Sequence, residues 1–357
     1  KTTLCMTPPR PVLACTSSDG TEKNQACSDQ GPLTLKRSET VDEEISAKVI
    51  DFLDRNDPKK TKKPFFVWYN PARMHITTML SDKYMGMVGT KGGKDWGANE
   101  AAMKQMDDNI GEVMKKLEAM GELDNTIIVF TTDNGAEVIT YPDGGNTPFK
   151  GGKLTTWEGG MRVPCLVRWP GVVKPGTVIN EIMAHEDWAV TLLAAAGEPD
   201  IKEKLTQGHT ANGKPFKVHL DGYDQRALLA GTGPSARNEF YYFDDGDNLN
   251  AVRVRYWKAH FALPGDWLSG GPPLPQCFPK ITNLRMDPFE DHVLFGEDNS
   301  PMAARWMADK FWAFVPMQAV VGKFLETFQE FPQRQKSASF NIDQVLQQLE
   351  QGAGAGK

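Results

Sequence analysis

Asp133 and Asn134 stand side by side where an apolar, β-branched run, Ile127-Ile-Val-Phe-Thr-Thr132, gives way to Gly135. A carboxylate beside a side-chain amide offers hard oxygen donors of the kind Ca²⁺ and Mg²⁺ take. Downstream, Lys150, Lys153 and Arg162 lie among six glycines between Tyr141 and Arg162, a composition that lets backbone and cations approach an anion. His75 follows a second apolar run, Phe65-Phe-Val-Trp-Tyr69, and supplies a proton-transfer group. A metal, a cation and a proton carrier meeting on one anion suit cleavage of a sulfate or phosphate ester. The metal and the lysine stabilise charge on the non-bridging oxygens, and the histidine protonates the leaving oxygen. Each residue also has a plainer reading. Asp-Asn-Gly is a common turn, a glycine-rich stretch is a common mobile loop, and a lone histidine after a strand is more often structural than catalytic.

Other chemistries fit less well. A phosphate-binding P-loop ending at Gly152-Lys153 would need glycine at position 147, which is Thr147, and Ser or Thr after the lysine, which is Leu154. The glycine pairs do not follow a strand in G-x-G-x-x-G order, no G-x-S-x-G elbow occurs, and the six histidines are scattered. None of the five cysteines has zinc-ligand spacing, and an odd number rules out complete internal pairing. Cys165 reads as a buried thiol in a strand.

The elements that must position these residues follow from periodicity. Both apolar runs read as buried strands of a parallel sheet. Residues 1–39 lack a clear period and read as a loop-rich, strand-poor segment. Thr40-Val-Asp-Glu43 is a capping box opening a helix with Ile45, Val49, Phe52 and Leu53 as its apolar stripe. A helix over 98–120 carries Met103, Met106, Ile110, Val113, Leu117 and Met120 toward a core and stops at Gly121. A strand is expected over 163–169 and a short helix over 187–196. The order is the alternation of a doubly wound α/β sheet. From about residue 200 the texture shifts to short strands, including 239–243 and 250–261, which suggests a smaller α+β domain around an antiparallel sheet. Residues 264–280 read as loop, helices return from Ser300-Pro301, Asn341 caps a last one, and 351–357 form a disordered tail. The expected domains are 1–39, 40–199, 200–350 and the tail.

A net charge of −6 without a basic cluster argues against a nucleic-acid binder, and no apolar run reaches the length of a membrane span. Composition leaves compartment and oligomeric state open; periplasmic or secreted is preferred over cytoplasmic.

Thr126-Ile-Ile-Val-Phe-Thr-Thr-Asp-Asn-Gly135 and Gly152-Lys-Leu-Thr-Thr-Trp-Glu-Gly-Gly-Met-Arg-Val-Pro164 resemble segments of the type I, formylglycine-dependent sulfatases, in a bacterial arylsulfatase branch. Pro64 to His75 and His185 to Gly197 resemble family segments in the same order, as does Asn283 to Phe289 farther on. The resemblance implies an alkaline-phosphatase-like fold, sulfuric ester hydrolysis and a divalent cation, usually Ca²⁺ with Mg²⁺ as the substitute. By motif, Asp133 and Asn134 match two metal ligands, Lys153 the lysine on the substrate sulfate, and His75 the histidine near the leaving oxygen. The implied partner is a sulfated small molecule or glycan.

One departure stands against these matches. The family nucleophile is a cysteine or serine in Cys-x-Pro-Ser-Arg, oxidised to formylglycine, and that motif does not occur in this sequence. Cys5-Met-Thr-Pro-Pro-Arg10 is the nearest string, with an extra residue and Pro for Ser. No Asp-Asp pair precedes it, and Asp244-Asp245 is in the wrong order. The expectation is a chain lacking the family's N-terminal catalytic segment and first strand, inactive by itself, with exposed sheet edge and core surface. Two other functions stay open: a phosphoester or phosphonate hydrolase of the same superfamily, and a non-catalytic sulfate- or glycan-binding pseudoenzyme. Trp96, Trp157 and Trp267 could stack on an aryl or sugar ring or fill local gaps.

Overall fold

A computed structural model describes residues 10–18, 24–75, 78–90, 95–138, 144–244, 246, 248–264, 274–291 and 301–332. The chain divides into two compact units, residues 1–126 with 140–144 and residues 127–139 with 145–357.

In the first unit, strands β1 (Pro11–Ser17) and β2 (Gln25–Pro32) form an antiparallel hairpin with Cys15 opposite Cys27, and a disulfide joins them. The sequence suggested loop here because nearly every residue of the hairpin faces solvent, so no alternation marks a buried face. Helix α1 (Leu35–Ser38) is capped by the Thr34 hydroxyl, which accepts from the Arg37 N–H. Helix α2 (Val41–Arg55) starts where expected, but Thr40 makes no side-chain cap. Glu43, the acid of the capping box, instead accepts from Gln105 at 2.6 Å. After α3 (Pro58–Thr61) come α4 (Asp82–Met85) and α5 (Ala98–Met120), which closes at Gly121 with φ 69°. Ala101 and Ala102 have side chains small enough to let Leu80 and Tyr84 close against α5. Met106 and Leu117 of the expected apolar stripe are buried, whereas Met103 is exposed.

The segment at 65–69 belongs to no strand ladder, and Phe66 and Trp68 are exposed, which corrects the buried-strand reading of this run. Its alternation survives: the exposed rings flank Val67, and Tyr69 turns inward to share a hydrogen bond with Ser46 at 2.7 Å. The chain beyond it is held by a buried ion pair, Arg73 Nη1 to Asp42 Oδ2 at 2.7 Å. Asp42 also accepts from the backbone N–H groups of Ala72 and Arg73, and Arg73 donates to the carbonyls of Glu39 and Met79. Both charges are thereby compensated, as burial demands.

In the second unit, β3 (Ile128–Thr131) pairs antiparallel with β4 (Cys165–Arg168), Ile128 opposite Arg168 and Thr131 opposite Cys165. The parallel, fully buried reading of this run is therefore corrected: β3 is half-buried along its length, and Cys165 is exposed. An apolar run without alternation fixes neither strand direction nor partner. Helix α6 (Glu158–Met161) lies between the two strands in sequence. Helices α7 (Asp187–Ala195) and α8 (Ile201–Gln207), the short hairpin β5 (His209–Ala211) and β6 (Lys214–Phe216), and α9 (Arg226–Leu229) follow.

A four-stranded antiparallel sheet then forms from β7 (Glu239–Phe243), β8 (Leu249–Val254), β9 (Trp257–Leu263) and β10 (Leu274–Asn283), in the order β10-β9-β8-β7. β10 extends into residues expected to be loop. Beyond α10 (Pro301–Lys310), helix α11 (Phe314–Glu330) lays Met317 on Val252 and Ala259 of the sheet. The helix expected from Asn341 and the glycine-alanine tail lie outside the described residues.

Candidate active site

The turn after β3 and the glycine-rich loop interlock through their backbones. The Gly135 N–H donates to the Gly160 carbonyl and the Lys153 N–H to the Ala136 carbonyl, both at 2.9 Å. The glycines are required by this closeness. A Cβ on Gly135 would lie 1.8 Å from the Gly159 carbonyl oxygen, and one on Gly160 would lie 2.2 Å from that of Thr155. At Gly152 it would meet the Ala136 carbonyl oxygen at 2.5 Å. The segment from 150 to 160 is packed backbone rather than a loose surface loop, and Trp157 within it is buried.

This packing separates the three cations read from the sequence. Lys150 donates to the Glu290 carbonyl at 3.3 Å and lies 4.9 Å from the Trp157 ring. Arg162 pairs with Glu158 at 2.7 Å and covers the Phe149 ring. Lys153 alone of the three turns to the 133–137 segment, where its Nζ meets Glu137 Oε1 at 2.6 Å. Trp157, read above as either a stacking surface or a filler of a local gap, is buried and packs against His260, with ring centroids 4.8 Å apart and the planes tilted by 50°. Trp267 lies outside the described residues.

Beneath the loop is a buried charge cluster that ties α6 to the antiparallel sheet. Glu158 Oε1 accepts from the Tyr242 hydroxyl at 2.6 Å and from Lys258 Nζ at 3.1 Å. Lys258 Nζ also donates to the Thr156 carbonyl at 2.9 Å and reaches Glu290 Oε1 at 2.9 Å. Glu290 accepts from the Glu158 backbone N–H at 2.8 Å and bonds His260 Nε2 at 2.8 Å. Glu158, Lys258, His260 and Glu290 are all essentially sealed from solvent.

Burial alone would push the Glu158 carboxyl up. The charges of Lys258 and Arg253, with hydrogen bonds from Tyr242 and Arg162, outweigh it and hold the group at about 2. His260 moves the other way: burial, reinforced by Lys258, lowers it to about 4 against the pull of Glu290. At neutral pH the cluster is therefore a carboxylate–ammonium network beside a neutral imidazole.

The expected site residues fall as follows. Asp133 is exposed at the end of β3, and its Oδ1 accepts from the Thr132 hydroxyl at 3.3 Å. Asn134 is half-buried and donates its amide to the Gly135 carbonyl at 2.9 Å, so the amide oxygen is the end with ligand chemistry. Asp133, Asn134 and Lys153 belong to the second unit. His75 belongs to the first, where it is exposed just beyond the Arg73–Asp42 pair and its carbonyl accepts from the Thr78 hydroxyl.

Two oxygen donors suit a hard cation in kind but not in number, since Ca²⁺ takes about six to eight. Among the described residues, no group of three or more His, Cys, Asp or Glu is gathered to hold a metal. Asp133 and Asn134 alone would not complete the coordination shell of such a cation.

Two residues at this end of β3 were not singled out from the sequence. Glu137 is the partner of Lys153. His185 is exposed, and its Nε2 bonds the Thr132 carbonyl at 2.9 Å, next to Asp133. An acid four residues past Asp133, opposite in charge to Lys153, was the available signal for the first. For the second it was the position of His185 two residues before the buried Asp187, which accepts from the Ala184 and Tyr223 N–H groups and pairs with Arg237 at 2.7 Å.

The family model described as Sulfatase matches residues 14–198, about half the chain and all of the loop just described. The chain belongs to the sulfatase family. It is 31% identical to human arylsulfatase A over 255 residues, which cover 67% of this chain and 46% of that protein. It is 33% identical to human N-acetylgalactosamine-6-sulfatase over 233 residues, covering 64% and 40%. The sulfatase chain thus spans less than half the length of these relatives. Among solved structures, the PsFucS1 sulfatase from Pseudoalteromonas sp. superposes with a TM-score of 0.65 and 26% identity, over 87% of this chain and 59% of that one. The fold is the alkaline-phosphatase-like α/β fold of the sulfatases. No helix among the described residues is long and apolar enough to cross a membrane.

Proposed function

We propose that this sulfatase chain carries the sulfate-binding and cation-binding part of an arylsulfatase-type esterase. The observation that supports this most is the placement of Lys153. Its backbone is pinned to the turn carrying Asp133 and Asn134, and its ammonium lies in the same small region at the carboxyl end of β3. Lys153 would neutralise the non-bridging oxygens of a bound sulfate ester. Asp133 and Asn134 would contribute two ligands to a Ca²⁺ or Mg²⁺ ion, whose chemistry when bound is to draw charge from the same oxygens. The motif match of His75 gives it, by itself, the role of a group that would protonate a leaving oxygen.

No nucleophile is assigned within these 357 residues, because the Cys-x-Pro-Ser-Arg motif that would become formylglycine does not occur in them. Sulfate-ester binding without turnover is therefore the behaviour expected of these residues. The substrate class is a sulfated small molecule or glycan. The Cys15–Cys27 disulfide supports a periplasmic or secreted setting, where such bonds persist.

The test is hydrolysis of an aryl sulfate by the purified chain with added Ca²⁺, alongside Cys5→Ala. Turnover abolished by Cys5→Ala would overturn the assignment of the chain as binding only. A Ca²⁺ affinity unchanged by Asp133→Ala and Asn134→Ala together would overturn the ligand assignment.

A further inference from the structure

Lys153 meets a carboxylate rather than open solvent. Glu137 Oε1 lies 2.6 Å from its Nζ, and the two side chains are only 15% and 20% exposed. Both are held by backbone on short leashes, because the Lys153 N–H donates to the carbonyl of Ala136, the residue before Glu137. The acid therefore stays beside the ammonium when an anion arrives. Partial burial matters for the size of the effect, since charges withdrawn from water are screened far less than exposed ones.

From this juxtaposition, and resting on the reading of Lys153 as the sulfate contact, we infer that Glu137 is a specificity-determining residue that selects a singly charged sulfate ester over a doubly charged phosphate monoester. The two ligands have the same tetrahedral shape and the same non-bridging oxygens, so shape and hydrogen bonding discriminate weakly between them. Charge does discriminate. A sulfate monoester carries one negative charge, whereas a phosphate monoester, with a second pKa of about 6, carries two above neutrality. The ammonium attracts both, and the neighbouring carboxylate repels the second charge in addition to the first. Specificity of this kind is set by a repulsive element as much as by an attractive one. The Lys153–Glu137 pair presents an anion with a cation already half-compensated, which suffices for a monoanion and penalises a dianion.

The experiment measures equilibrium binding of 4-nitrophenyl sulfate and 4-nitrophenyl phosphate to the full chain at about pH 8, for wild type, Glu137→Gln, Glu137→Asp and Lys153→Met. Thermal melts establish that each variant is folded. The expected result is a sulfate preference in wild type that shrinks by about tenfold or more in Glu137→Gln, through tighter phosphate binding, and is retained in Glu137→Asp. A sulfate-to-phosphate ratio unchanged in Glu137→Gln, with both affinities falling in Lys153→Met, would overturn the role of Glu137 and leave Lys153 as the anion contact. Should Glu137→Gln fail to fold, a preference lost in Glu137→Asp, whose carboxylate remains, would overturn it equally. Binding indifferent to Lys153→Met, or no binding of either ester to wild type, would overturn the reading on which the inference rests.

Discussion

Lys258 and Glu158 meet at 3.1 Å with both side chains closed to solvent, across 100 residues of sequence, and they join the glycine-rich loop to the antiparallel sheet. A charge pair buried this completely is stable only because every partner is present. Lys258 also reaches Glu290 and the Thr156 carbonyl, and Glu158 also takes Tyr242 and Arg162. Its worth lies in fixing how α6 and the loop sit on β7 and β9, rather than in net stabilisation.

Replacing Lys258 with Met removes the cation from between two buried acids. The expected loss is about 3–5 kcal/mol of unfolding free energy, the usual cost of leaving a buried charge without its partner. Urea denaturation at neutral pH measures it. A loss below about 1 kcal/mol would mean that the cluster is solvated in solution.

Acid should destabilise the chain in two overlapping windows. The ordinary value for His260 is 6.5, and it lies at about 4 when folded, so the fold holds the neutral ring. Its stability contribution is full above pH 6.5 and is lost as the pH falls toward 4. The ordinary value for Glu158 is 4.5, and it is held at about 2, so its contribution is full above pH 4.5 and is lost toward pH 2. Denaturation midpoints followed against pH should fall through both ranges, and His260→Gln should flatten the upper one. A wild-type midpoint constant from pH 6.5 to 4 would contradict the buried neutral imidazole.

Glycine positions in the loop should differ sharply in tolerance. Gly135→Ala drives a methyl group into the Gly159 carbonyl and should cost at least about 2 kcal/mol, because backbone on both sides must move. Gly145→Ala places its methyl in open space and should stay within about 0.5 kcal/mol. Thermal melts of the two variants make the comparison, and equal effects would mean that the loop is not packed on the turn after β3.

Much of the local architecture was legible in the sequence for a physical reason. Helix α5 and its stop at Gly121, strand β4 and helix α7 each carry a signal within a dozen residues of themselves. The β1–β2 hairpin was invisible because a strand exposed on both faces has no hydrophobic period to display. The direction of β3 was invisible because an apolar run does not encode its partner. In the site, Asp133, Asn134 and Lys153 could be read as a group because the motif keeps them close in sequence. Glu137 escaped because a carboxylate in a turn looks like solvated surface until the chain folds a lysine against it. The cluster of Glu158, Lys258, His260 and Glu290 escaped because its members come from segments up to 132 residues apart.

The cysteines should separate by chemistry. Under native, non-reducing conditions a thiol-alkylating reagent should label Cys165, which is exposed, and leave Cys15 and Cys27 unlabelled until they are reduced. Peptide mapping by mass spectrometry reads this directly. Labelling of Cys15 or Cys27 before reduction would contradict the hairpin disulfide.

The central claim is that Lys153, held on the turn of Asp133 and Asn134, is the sulfate contact. Titration of an aryl sulfate into wild type, Lys153→Ala and Lys150→Ala tests it most directly. Affinity should fall by at least about tenfold in Lys153→Ala, as expected for loss of a charge-assisted hydrogen bond worth about 1.5–3 kcal/mol. It should change little in Lys150→Ala, whose lysine is spent on Glu290 and Trp157. Equal affinity in wild type and a folded Lys153→Ala would contradict the account.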